Sequence, residues 1–78
     1  MTTKAKEIKL PFDCTVYDTE PQVVTNPFSG DSILLEPKAI AVYDTVMGAN
    51  MIGDYKTVQK GVSWFRKYFP KEYMVLLD

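Results

Sequence analysis

Pro37-Lys38-Ala39-Ile40-Ala41-Val42-Tyr43-Asp44-Thr45-Val46-Met47-Gly48-Ala49-Asn50-Met51-Ile52-Gly53-Asp54 is the stretch on which the fold turns. Ala39, Ile40, Tyr43, Val46, Met47 and then Asn50 or Met51 recur at intervals of three and four, the spacing that puts side chains on one face of an α-helix. Proline has its φ preset near the helical value, and the N–H it lacks has no partner in a first turn anyway. Pro37 therefore opens this helix, expected over residues 37–51. Gly53 takes the left-handed conformation that stops a helix without steric cost, and the Asp54 carboxylate is suited to accept from a free amide of a following first turn. A stop and a start side by side predict a helical hairpin.

The second helix is expected over residues 54–69, where Tyr55, Val58, Val62, Phe65 and Phe69 form a regular apolar stripe. Pro70 is expected to end it, leaving residues 70–78 as a tail. That tail carries Met74-Val75-Leu76-Leu77, and burying each such side chain is worth about 1.5–3 kcal/mol, so the run must be covered. Either it docks within its own chain, which allows a monomer, or it reaches a neighbouring chain, and the short length available after Pro70 favours the neighbour and so a homodimer.

Upstream, Gln22 to Thr25 and Ser32 to Leu35 flank Asn26-Pro27-Phe28-Ser29-Gly30-Asp31. Asn and Pro preset a turn and Gly30 accepts positive φ, so a β-hairpin is expected over residues 22–35 with Phe28 at its tip. Two strands alone are marginally stable, and a third is expected from the arm, the tail or a second subunit. Residues 1–21 contain Pro11 and Pro21 and lack helical periodicity. They read as an extended arm, frayed over 1–6, whose Ile8, Leu10, Phe12, Val16 and Tyr17 lie across the core. The expected fold class is α+β: one small domain in which the β-hairpin packs against the helical hairpin.

With 78 residues there is room for one core, and 46% hydrophobic against 24% charged residues fits a folded soluble chain rather than a disordered one. No run reaches the roughly 18 apolar residues of a membrane span, and the first ten residues lack the apolar core of a signal peptide, so a cytoplasmic protein without a membrane partner is expected. The net charge of -1 hides a segregation. Residues 1–10 carry +2, residues 11–54 carry -6, and residues 55–78 carry +3.

The chain has no histidine and one cysteine, Cys14, which excludes the usual zinc sites and any internal disulfide. Asp13, Asp18 and Glu20 surround Cys14, and negative neighbours raise a thiol pKa, so Cys14 reads as a structural thiol and not a nucleophile. The same carboxylates lack the alternate spacing of a calcium loop. No catalytic residues, no metal site and no cofactor are expected. On the second helix Lys56, Lys60 and Lys67 share a stripe opposite the apolar one, with Trp64 and Tyr68 one turn apart on the flank. Lysines beside aromatics are the composition that meets phosphates and stacks bases, although a solvated lysine face beside a broad core contact explains the same spacing. A helix-turn-helix reading fits less well, because the helix would begin with Asp54 and Tyr55 rather than with base-reading side chains.

Asn26-Pro27-Phe28-Ser29-Gly30, Ala41-Val42-Tyr43-Asp44, Gly53-Asp54-Tyr55, Lys60-Gly61-Val62-Ser63-Trp64-Phe65 and the closing Phe69-Pro70-Lys71-Glu72-Tyr73-Met74-Val75-Leu76-Leu77-Asp78 together resemble small uncharacterised proteins of marine phages and ocean metagenomes. The resemblance covers residues 26–78 and implies a viral or environmental origin with a host-cytoplasmic setting; it implies no activity and no site residues. The function expected is a non-enzymatic interaction module, a phage accessory protein binding another protein or itself, with a nucleic-acid-binding protein as the alternative. The candidate interaction surface is Lys56, Lys60, Trp64, Lys67, Tyr68 and Phe28.

Overall fold

The computed structural model describes residues 8–77, so the expected fraying of residues 1–6 lies outside the described residues. Strands β1 (Gln22–Thr25) and β2 (Ser32–Leu35) form an antiparallel hairpin, followed by helices α1 (Pro37–Ile52), α2 (Tyr55–Tyr68) and α3 (Pro70–Leu76). The α+β class is therefore as expected.

The hairpin register pairs Gln22 with Leu35, Val23 with Leu34, Val24 with Ile33, and Thr25 with Ser32. Alternation then sends Val24, Ile33 and Leu35 toward the helices, while Val23 and Leu34 face outward. The turn closes as its residues dictate. Gly30, at φ 82°, donates its N–H to the Asn26 carbonyl, and the Phe28 N–H donates to Asn26 Oδ1 at 2.9 Å.

Helix α1 is the centre of the molecule. Ala39, Ile40, Ala41, Val42, Tyr43, Val46 and Ala49 are all buried, a wider apolar arc than one face, because hairpin, arm and α2 cover it from different sides. It ends at Gly53 (φ 79°), after which Asp54 donates its N–H to the Ala49 carbonyl and accepts from the Thr57 N–H and hydroxyl. Helix α2 buries Gly61, Trp64 and Phe65. Val58 and Val62, members of the expected apolar stripe, are only half-buried, since the helix is rolled so that Trp64 and not Val62 faces inward. Trp64, Phe65 and Phe69 stack into one aromatic cluster with centroids 5.3–6.1 Å apart.

Residues 70–76 form a helix, not a tail. Phe69 leaves the helical region (φ -137°, ψ 62°), which turns the chain, and Pro70 then serves as the first residue of α3 with Glu72 in its first turn. The reversal is tight enough for Leu76 to bury in the core and for Asn26 Nδ2 to donate to the Val75 carbonyl at 2.9 Å. Val75, Leu76 and Leu77 thus pack within their own chain while Met74, expected to be covered, stays 67% exposed, so the short length after Pro70 no longer argues for a neighbouring chain as the cover. Among the described residues the sheet has two strands, and helices rather than a third strand cover its inner face.

The arm is held by two of its carbonyls: Ile8 O accepts from Lys38 Nζ at 2.6 Å, and Lys9 O from Trp64 Nε1 at 2.7 Å. Ile8, Leu10, Phe12 and Cys14 pack on the core. Val16 and Tyr17 do not: both are exposed, Tyr17 to 86%, with Tyr17 beside α1 rather than packed into the core. Among the described residues no helix is long and apolar enough to cross a membrane.

Candidate functional site

Concave regions lie around α1 and α2, and three of them bear on function. The first is a wide groove of about 490 Å³ lined by Pro11, Gln59, Lys60, Ser63, Trp64, Lys67 and Tyr68. The structure therefore brings together four of the six expected surface residues. Their accessibility differs from the expectation. Trp64 is only 5% exposed and its indole N–H is spent on the Lys9 carbonyl, so it forms the floor and offers no free face for stacking. Tyr68 remains accessible at the rim, with Lys67 Nζ 5.2 Å from its ring centroid. Lys56, one turn before Lys60, is exposed but does not line the groove. Helix α2 carries Lys56, Lys60, Arg66 and Lys67 and no acidic residue.

The second region, about 260 Å³, lies between the arm and α1 and includes Cys14, Tyr17, Asp18, Asp44 and Thr45. Burial pushes the Cys14 thiol above its ordinary range, opposed by a hydrogen bond with Thr45 and reinforced by the charge of Asp13. Burial likewise raises the Asp44 carboxyl, and the negative Asp18 adds to it. Tyr43 beneath is raised by burial and by Asp44. Such surroundings favour the thiol over the thiolate and leave Cys14 a poor nucleophile at neutral pH. Among the described residues no group of three or more His, Cys, Asp or Glu side chains is placed to hold a metal ion.

The third region is a groove of about 330 Å³ where the hairpin tip meets the α1–α2 turn, lined by Asn26, Phe28, Val46, Met47, Asn50, Val58, Val62, Leu76 and Leu77. Phe28 lines this groove and not the one that holds the lysines. Its ring stands out at the rim, 97% exposed. Met51 follows Met47 by one helical turn and Tyr55 precedes Val58 by one, so both walls run on into exposed apolar side chains. Sequence reasoning missed this groove. Its one legible signal was Met51, which carries the Met47 side of α1 up to the Gly53 stop.

No protein-family model matches this chain, and neither does a curated protein or a solved structure.

Proposed function

We propose that this chain is a non-enzymatic interaction module, a phage accessory protein if the resemblance of residues 26–78 indicates its source, working through the apolar end of the molecule. The observation that carries this reading is the exposure of large apolar side chains at the third groove and one helical turn beyond its walls: Phe28 97% on the rim, Met51 85% next to Met47 and Tyr55 65% next to Val58. Isolated exposed apolar residues are ordinary, but several converging on an apolar groove mark a surface that gains by being covered. Aromatic and methionine side chains are also those enriched at interface cores. The protonated, hindered Cys14 thiol supports a non-catalytic role.

Replacing Met51 with a photo-cross-linking phenylalanine derivative tests the reading, with the same probe at exposed Lys71 as the control. Cross-linked product is expected from position 51 and is expected to disappear when Phe28→Asp is added. Yields at 51 no greater than at 71 overturn it.

A second reading, nucleic-acid binding, draws on one observation: α2 presents four cations and no acid, with Lys60, Lys67 and Tyr68 in one groove. The burial of Trp64, which removes it as a stacking face, counts against it.

A further inference from the structure

We infer that the basic stripe along α2 is an interaction surface separate from the apolar end, and that its occupant is an acidic α-helix of another protein, laid along Lys56, Lys60, Ser63 and Lys67. These four residues are exposed and follow one another at intervals of four, three and four, the spacing of the seam between two packed helices. Ser63, the small one in the middle, lets a partner backbone come close, and its hydroxyl can donate to a carboxylate. Trp64, Pro11 and the Tyr68 ring supply apolar lining beside the lysines.

Charge sets the sign of the occupant. No acidic residue lines the groove, and Lys9, exposed and bonded through its carbonyl to Trp64 Nε1, adds a cation at its edge. The charge of Asp54 reaches Lys56 and Lys60, but Asp54 lies at one end of the stripe and accepts its two hydrogen bonds from Thr57. The stripe therefore stays positive, and an acidic surface is its complement.

Spacing selects a helix. Along the α2 axis Lys56 and Lys60 are about 6 Å apart, and Lys60 and Lys67 about 10.5 Å. An extended acidic strand repeats one face about every 6.7 Å, so the longer interval falls between its repeats. A helix with acids at intervals of four, three and four reproduces both distances, and that pattern reads the same in either direction.

The charge of the whole molecule separates this occupant from nucleic acid. The chain is net -1 and carries -6 over residues 11–54. A duplex bears a charge about every 1.7 Å along its full length and brings many of them against that acidic remainder, whereas a short helix places carboxylates only where the lysines stand. Trp64, buried to 5% exposure, offers no stacking face either.

Titration of the full ¹⁵N-labelled chain, followed by amide chemical shifts, tests the inference. The probe is an alanine-based helical peptide with Glu in the four-three-four pattern; the control has the same composition with its Glu residues spread round the helix, and circular dichroism checks the helicity of both. Shifts are expected along α2 and at the Trp64 indole N–H, with the patterned peptide bound roughly tenfold more tightly than the control. Lys60→Gln with Lys67→Gln is expected to weaken it by about tenfold, as for two exposed ion pairs lost. Lys60→Glu with Lys67→Glu should abolish binding of the Glu peptide and gain binding of its Lys counterpart, a swap that a merely structural role of these lysines does not produce. Equal binding of patterned and control peptides overturns the inference. So do shifts confined to another face, or none at about 1 mM peptide. A single- or double-stranded oligonucleotide that binds the stripe more tightly than the peptide at the same salt overturns the acidic helix as occupant and gives the surface to nucleic acid.

Discussion

Gly61 of α2 lies directly against Val46 of α1, and a Cβ built on Gly61 overlaps Val46 Cγ2. Phe12 of the arm closes the same site from the other side. Three segments thus meet at a position that tolerates only hydrogen. Val46 is buried and, being β-branched, stiff at χ1, so it yields to an added methyl only at a cost.

Gly61→Ala is therefore expected to destabilise the fold even though alanine is the better helix former by about 1 kcal/mol, because overpacking a core costs about 1–3 kcal/mol. In a Val46→Ala background the clash is gone and the same change becomes neutral or stabilising. Urea denaturation of the four proteins of this cycle checks the sign reversal, and an unchanged cost in the Val46→Ala background refutes the close approach of the two helices at this point.

Phe65, fully buried at the centre of the aromatic cluster, is expected to cost about 3–5 kcal/mol on truncation to Ala. Half-buried Val62, on the same apolar stripe, costs much less on the same substitution. Equal costs in chemical denaturation contradict the observed roll of α2.

Leu76→Ala is expected to cost about 2–5 kcal/mol, since Leu76 is 6% exposed in the core. As α3 docks on its own hairpin, this cost is the same at every protein concentration. Thermal melts over a hundredfold range of concentration decide the matter: a cost that depends on concentration returns the terminal run to a neighbouring chain.

Two carboxylates give opposite pH dependences. Asp44 is raised by burial and by Asp18, so its ionisation opposes folding. Its contribution is favourable below the unfolded-state pKa and is lost as pH rises through the folded one. Asp54 is lowered, first by the Thr57 hydroxyl and amide hydrogen bonds and then, against a small desolvation, by Lys56 and Lys60. Its contribution is present above the unfolded pKa and fades as pH falls through the folded one. Relative to wild type, Asp44→Asn should gain stability as pH rises across the carboxylate range, and Asp54→Ala should lose it. Urea midpoints from pH 3 to 7 show whether the two difference curves slope in opposite directions; parallel curves contradict the assignment.

If α2 meets nucleic acid, joint replacement of Lys56, Lys60 and Lys67 by Gln is expected to flatten the slope of log K against log salt by about 0.7–0.9 for each phosphate that the lysines no longer neutralise. Tyr68→Ala weakens binding as well, whereas the buried indole of Trp64 meets no base and its fluorescence stays unquenched. Absence of binding to either single or double strands at low salt eliminates the second reading.

Local chemistry alone determined the elements whose signals are short-range. Pro37, Gly53 and Asp54 mark helix ends through their own backbone and side-chain hydrogen bonds, and Asn26 and Gly30 make the hairpin turn, so both hairpins were legible. The start of α3 was written in the same way, in Pro70, Glu72 and the Tyr73–Leu76–Leu77 spacing, but a proline that ends one helix can equally open the next, and only the extended turn at Phe69 decides between them. What faces what was left to tertiary structure. The roll of α2 followed from the close approach of Gly61 to Val46, which turned Trp64 inward and left Val58 and Val62 half-buried. The lysine groove kept its cations and gave up its indole for that reason. The apolar groove exists only because the hairpin tip, the end of α1, the start of α2 and α3 converge, segments far apart in the chain whose proximity no local periodicity encodes.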